Sequence, residues 1–154
     1  VVVSPDDSTI YVSNMFHFEI FEIDAETFNV RHVYKTYHNP NTIDLAAGGK
    51  LLFVSCRGPN NPRDYTMRSP LDGKVMVFDL EKKELLTTIE GGNQPTGLDV
   101  SRDGRYLVFS NFQDNTIELY DITFVHDFLS LRDNGLLFPL NYQEMTARIT
   151  SGGK

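Results

Sequence analysis

The chain has 154 residues, 40% hydrophobic and 23% charged, and 21 acidic against 14 basic side chains give it a net charge of −7. That is enough apolar material for one domain with a real core, and the longest apolar runs, Leu51-Leu52-Phe53-Val54 and Leu136-Leu137-Phe138, fall far short of the ~20 residues that cross a bilayer. With a pI near 5.0 and no block of Lys or Arg, the chain lacks the basic footprint that broad binding to nucleic acid or anionic membrane requires.

The N-terminus, Val1-Val2-Val3-Ser4-Pro5, carries no initiator Met, charged n-region or apolar h-region and reads like the inside of an element. The expectation is a chain cut from a longer one, with any targeting signal in the missing part. The first short strand is followed by an Asp6-Asp7 turn, the apolar run Ile10-Tyr11-Val12, a strand ending at Asp24, and a more polar one at Val30-Arg31-His32-Val33.

The same order then returns. In the middle of the chain strands are predicted over 42–46, 51–55, 74–79 and 84–89, with Gly48-Gly49 in the first turn and Glu81-Lys82-Lys83 in the last. Residues Gln94 to Asn111 overlay Asn39 to Cys56 without a gap at a spacing of 55, matching Pro40 with Pro95, Ile43 with Leu98, Asp44 with Asp99 and Ser55 with Ser110. The start of the chain joins that register at a spacing of 42, with Tyr11-Val12-Ser13 on Phe53-Val54-Ser55. Ser13 to Asp24 and Ser110 to Asp121 each span 11 residues, but Ser55 to Asp79 spans 24, so the middle copy carries 13 extra residues within 57–74. Three copies of a 42-residue unit are present.

The second strand of each copy is almost continuously apolar, as a sheet covered on both faces requires, and the fourth is polar, as an outer edge requires. Asp103-Gly104 and Gly48-Gly49 supply the positive φ of tight hairpins. After Asp121 the pattern changes. Phe124, Val125, Phe128, Leu129 and Leu131 fall at helical spacing behind a Thr123 cap, with Asn134-Gly135 at the stop. The expected organisation is all-β: β-propeller blades of four antiparallel strands at about 1–40, 41–95 and 96–122, then a short C-terminal helix and tail over 123–154. The last copy shows no recognisable fourth strand, and the tail is expected to fray.

A four-stranded unit at this period is the signature of a propeller blade. The string running from Gln94-Pro95-Thr96-Gly97-Leu98-Asp99-Val100 through Ser101-Arg102-Asp103-Gly104 to Tyr106-Leu107-Val108-Phe109-Ser110-Asn111, with Thr116-Ile117-Glu118-Leu119-Tyr120-Asp121 after it, resembles the YVTN-type propeller repeat of surface-layer-like proteins. Gly92-Asn93-Gln94-Pro95 stands for its G-x-x-P loop, Ser4-Pro5-Asp6-Asp7 for its turn, and Tyr11-Val12-Ser13-Asn14 for its namesake tetrapeptide. The resemblance implies a ring of about seven blades, so three blades are a partial ring. It also implies an extracytoplasmic location, periplasmic or at the cell surface. The remaining blades are expected from the same parent chain or another subunit.

Function in such a fold concentrates on the rim that carries the long loops. Segment 57–74 has four basic residues, Arg57, Arg63, Arg68 and Lys74, against Asp64 and Asp72, a local +2 on an acidic protein. Arginine offers planar bidentate donors to anions, and tyrosine adds an interfacial aromatic surface. Arg57, Asn60, Asn61, Arg63, Tyr65 and Arg68 are the candidate ligand- or partner-binding residues. The competing reading is a loop folded over its own blade, its arginines paired with nearby carboxylates.

The chemistry elsewhere is sparse. His17, His32, His38 and His126 form no H-x-H or H-x-x-x-H pair, and the single Cys56 has no histidine near it. Asp24, Asp79 and Asp121 recur at one position, which favours binding of turn amides over a metal ring. No phosphate loop, G-x-S-x-G elbow or H-E-x-x-H helix occurs. No catalytic, cofactor or metal residue is assigned. The expected function is non-enzymatic binding or scaffolding of a protein or cell-envelope ligand. The alternative is a piece of a propeller enzyme, lactonase-like or haem/redox, whose other site residues lie in missing blades.

Overall fold

The computed structural model describes residues 1–123 and a two-residue strand at 149–150. Three four-stranded antiparallel sheets follow one another along the chain. The first contains β1 (Val2–Val3), β2 (Thr9–Asn14), β3 (Glu19–Asp24) and β4 (Val30–Lys35). The second contains β5 (Pro40–Ala46), β6 (Leu51–Cys56), β7 (Lys74–Asp79) and β8 (Glu84–Glu90). The third contains β9 (Pro95–Val100), β10 (Tyr106–Asn111), β11 (Thr116–Asp121) and β12 (Ile149–Thr150). In each sheet the strands pair in sequence order, so the first strand lies at one edge and the last at the other.

The first strands face one another across the blades, and the fourth strands lie outermost, with Val30, Arg31, Glu84 and Leu85 exposed. The middle sheet explains the unbroken apolar runs. On β6, Leu51 and Phe53 pack with Leu98, Val100, Leu107 and Phe109 of the third sheet, while Leu52, Val54 and Cys56 pack with Tyr11, Ile20 and Tyr34 of the first. Alternation along a strand normally leaves one face wet. Here all six β6 residues are buried because sheets cover both faces. Among the described residues, the outer sheets each lack one such cover. Tyr106 and Ile117 are exposed on the third sheet, and Val3 and Val30 on the first.

Two hydrogen-bond devices hold the blade joints, and the first of them recurs. The serine ending the apolar run of β6 fills a bulge in its own first strand, with the Thr42 amide donating to Ser55 Oγ at 3.0 Å. Ser55 Oγ also lies 3.2 Å from the Thr96 carbonyl of the next blade. Ser110 repeats the first half of the device, accepting from the Gly97 amide at 3.1 Å, and Ser13 the second half, donating to the Asn41 carbonyl at 3.1 Å. Lower down, Asp44 Oδ2 accepts from the Val100 amide at 2.8 Å, again from one blade to the next. Gly49 is required for a related reason. Its φ is +89°, and a Cβ there would stand 2.8 Å from Cδ of Pro5 in the preceding blade.

The third sheet corrects one expectation. Its fourth strand exists, but the tail supplies it: Ile149 pairs with Leu119 and Thr150 with Glu118. A two-residue strand so far from its partner leaves no periodic signal to read. Past Thr123, the expected C-terminal helix lies outside the described residues, as does His126. Among the described residues, no helix is long and apolar enough to cross a membrane.

Candidate functional site

The turns joining first to second and third to fourth strands form one rim of the blades, and there the repeated aspartates serve the backbone. Asp24 Oδ1 accepts from the Glu26 and Thr27 amides at 2.9 and 2.7 Å, and Asp79 Oδ1 from those of Glu81 and Lys82 at 3.0 Å. Asp121 does the same for Thr123. The Thr27 amide is the main cause that holds the Asp24 carboxyl down at about 2. Asp44 and Asp99 meet beside a cavity of about 720 Å³ bounded by the turns at Gly48, Gly49, Asp103 and Gly104. Burial, with the adjacent Asp99 carboxyl, pushes Asp44 above the usual carboxylate range. Among the described residues no group of three or more His, Cys, Asp or Glu gathers where a metal ion could be held.

The opposite rim is built differently. In the second and third blades the loop entering the first strand clasps the loop leaving the second. Arg57 and Gly58 donate their amides to the carbonyls of Asn39 and His38, and Phe112 and Gln113 donate theirs to Gln94 and Asn93. Asn39 and Gln94 are left-handed, with φ of 55° and 57°, which swings the chain into the prolines that start β5 and β9. In the third blade the clasp closes in a short turn. In the second it opens into the insertion.

Buried side-chain amides then fix the insertion. Asn93 accepts from the Ser69 amide at 2.9 Å and donates to the Ser69 carbonyl at 3.1 Å and to Asp72 Oδ1 at 3.0 Å. Gln94 Nε2 donates to the Met67 carbonyl at 2.8 Å, and Asn39 Nδ2 to the Gly58 carbonyl at 2.8 Å. Ser69 Oγ ties the two limbs, 2.6 Å from the carbonyls of both Pro59 and Leu71. Where the limbs rejoin, Gly73 allows no side chain, since a Cβ would stand 2.2 Å from Cδ of Pro95. Gln113 and Asp114 of the third blade hold Thr66 and Arg68. The insertion therefore bridges two blades.

The predicted site residues divide on this scaffold. Asn60 accepts from Asn39 Nδ2 at 3.0 Å, Asn61 caps the Arg63 amide and donates to the Arg68 carbonyl, and Arg68 pairs with Asp114 and, at 3.7 Å, with Asp72. These three hold the loop. Arg57 is half-buried. Its Nη2 reaches Gln94 Oε1 and the Tyr65 carbonyl, its Nε is buried with no acceptor, and it has no carboxylate partner among the described residues. The Arg63 side chain is exposed, also without a carboxylate partner among them, and the Tyr65 ring is 62% exposed. Sequence reasoning missed the apolar side chains on the same rim: Phe16 (84% exposed) from the first blade, Met67 and Leu71 from the insertion, and Phe112 (59% exposed) from the third. Cys56 is buried, and desolvation pushes its thiol up to about 12, which disfavours the reactive thiolate.

No family model matches the chain. Many solved structures superpose on it, propeller-like proteins among them. The Kuenenia stuttgartiensis hydrazine synthase matches with a TM-score of 0.64 at 25% identity over 79% of this chain and 31% of that one. A dihydro-heme d1 dehydrogenase matches with a TM-score of 0.59 at 18% identity over 74% and 22%. These are propeller blades. In sequence the chain is 43% identical over 121 residues to antigen Lp49 of Leptospira interrogans serogroup Icterohaemorrhagiae serovar copenhageni (strain Fiocruz L1-130), a match covering 78% of this chain and 26% of that protein. The chain thus spans about a quarter of the length of that relative.

Proposed function

We propose that these blades belong to a non-enzymatic binding or scaffolding propeller of YVTN type, extracytoplasmic and exposed at the cell surface, which recognises a protein or cell-envelope ligand through the insertion rim. The observation that carries this reading is a fixed loop with uncommitted outward groups. Asn39, Asn93 and Gln94 hold the insertion from beneath, while the Arg63 guanidinium and the Tyr65 ring keep groups that the fold does not use. A loop ordered before binding loses little entropy on association, and Arg and Tyr are the residue types that anchor interfaces. The relative named as an antigen supports the surface location. Likeness to the dehydrogenase speaks to fold alone. Further blades, from the same parent chain or another subunit, would cover the open flanks of the outer sheets.

The test is retention of the full chain on isolated cell envelopes. Arg63→Glu combined with Tyr65→Ala is expected to lower retention at least fivefold with unchanged thermal stability. Retention equal to the unsubstituted chain would reject the rim as the binding surface.

A further inference from the structure

The middle sheet is closed on both flanks, and its register shows what the open flanks of the outer sheets would meet. Its leading flank, toward the first blade, carries Leu52, Val54, Met76 and Phe78, and its trailing flank, toward the third, carries Phe53, Val75 and Val77, all buried. In the first sheet the leading positions fall on Ile10, Val12, Phe21 and Ile23, and none of them is buried. In the third sheet the trailing positions fall on Val108, Ile117 and Leu119, and none of these is buried either. At each closed joint a trailing flank meets a leading one. The chain therefore carries one unused face of each kind among its described residues.

A latch at the first joint sets what each flank accepts. Lys83, left-handed at φ 61° in the turn after β7, reaches back to the buried Glu22 carboxylate of the first sheet, which also accepts from Tyr34 Oη at 2.7 Å. Phe28 holds the same place in the turn after β3, left-handed at φ 59° behind the same aspartate-bonded amides. That backbone region is unfavourable for a bulky side chain, and the ring is 73% exposed, so its own blade leaves it in solvent. By the repeat, Phe28 is aimed at the third strand of whatever wedge precedes the first sheet. A lysine there takes a carboxylate, whereas a phenylalanine takes an apolar side chain. Where Glu22 stands, the second sheet has Val77, already buried, and the third has Leu119, on its open flank.

We infer that the leading flank of the first sheet docks on the trailing flank of the third sheet of a second copy, Phe28 seating on Leu119 as Lys83 seats on Glu22. The contact is head-to-tail, so its repetition either closes a ring or runs on as a filament. Two copies bring twice the three sheets of one, within the roughly four to eight blades of closed propellers. A closed pair is therefore the expected product. The new joint continues an interface that the fold already makes twice, and it leaves the insertion rim free, so it stands apart from whatever that rim binds.

Sedimentation velocity of the full chain between about 1 and 100 μM tests this, with a concentration-dependent dimer expected. Phe28→Lys and Leu119→Glu, each alone, should weaken association about tenfold, because each sets an unpaired charge against an apolar side chain. An equimolar mixture of the two variants should return to within about threefold of the parent chain, since one joint then pairs lysine with glutamate and the other keeps phenylalanine on leucine. Recovery also shows that both variants are folded. Arg63→Glu combined with Tyr65→Ala should leave the dimer unchanged. A monomer at every concentration would overturn the inference, as would a dimer indifferent to Phe28 and Leu119, or variants that stay apart on mixing. A dimer lost with the Arg63 and Tyr65 substitutions would overturn it too, by placing the second copy on the insertion rim.

Discussion

The two rims of these blades handle polar groups in opposite ways. On the short-turn rim each aspartate at the end of a third strand bonds the amides that follow it, and the device is the same in three blades. On the long-loop rim the side-chain amides of Asn39, Asn93 and Gln94 reach across to a segment that only one blade possesses. Polar groups repeated with the period therefore build the blade. Those that break the period free other side chains for contact. The comparison also explains why Asp24, Asp79 and Asp121 are spent on turn amides although they recur, while Arg63, which does not recur, remains available.

Removing the anchor of the long-loop rim should have the largest effect. Asn93→Ala strips partners from the Ser69 amide and carbonyl together, buried groups whose loss costs about 1–3 kcal/mol each when left unsatisfied. A loss of about 3 kcal/mol in chemical denaturation is expected, with hydrogen exchange accelerated over 58–73 and not at the opposite turns. Acceleration at both rims would erase the distinction between them. Asp79→Ala should cost less, about 1–2 kcal/mol, and should be felt at the Glu81 and Lys82 amides with the insertion unchanged, as read by amide NMR shifts.

The smallest effect has the opposite sign. Asp44 titrates above its ordinary value because it is desolvated and faces Asp99. A carboxyl whose folded value is raised adds stability while protonated, at low pH, and that contribution disappears as pH climbs through the folded value. Asp99→Asn relieves the like-charge contact, so the variant should match the parent in acid and exceed it at pH 7, by less than about 0.5 kcal/mol after solvent screening. Thermal melts at the two pH values decide it. A variant less stable at pH 7 would show the pair to be a needed contact between blades.

Much of the fold was legible because burial leaves a pattern. The run Leu51-Leu52-Phe53-Val54 announces a strand covered on both faces, and the strand predicted over 74–79 lies where β7 is found. The recurrence of Ser13, Ser55 and Ser110 was visible, but its cause was not, since the hydroxyl serves a bulge and a neighbouring carbonyl that only tertiary structure brings together. The insertion was legible as a break in the period, and its charge was countable. Which arginines stay uncommitted was not, because Arg68 meets Asp114 across 46 positions. Phe16 and Phe112 escaped for a simpler reason. A single apolar residue in a turn has no periodicity, and only its place beside other loops gives it meaning.

The serine device also sets a direction of growth. Ser13 donates to a carbonyl of the blade that comes after, and Ser55 stands 3.1 Å from the Thr42 carbonyl of its own blade and 3.2 Å from the Thr96 carbonyl of the next, whereas Ser110 accepts from Gly97 and has no acceptor for its own proton among the described residues. A fourth wedge presenting a backbone oxygen there would continue the series, and one approaching the first sheet would have to bring its own serine. Stacking of these wedges is thus polar, like a chain of hooks and eyes, and a single wedge turned about would set its hook against a hook.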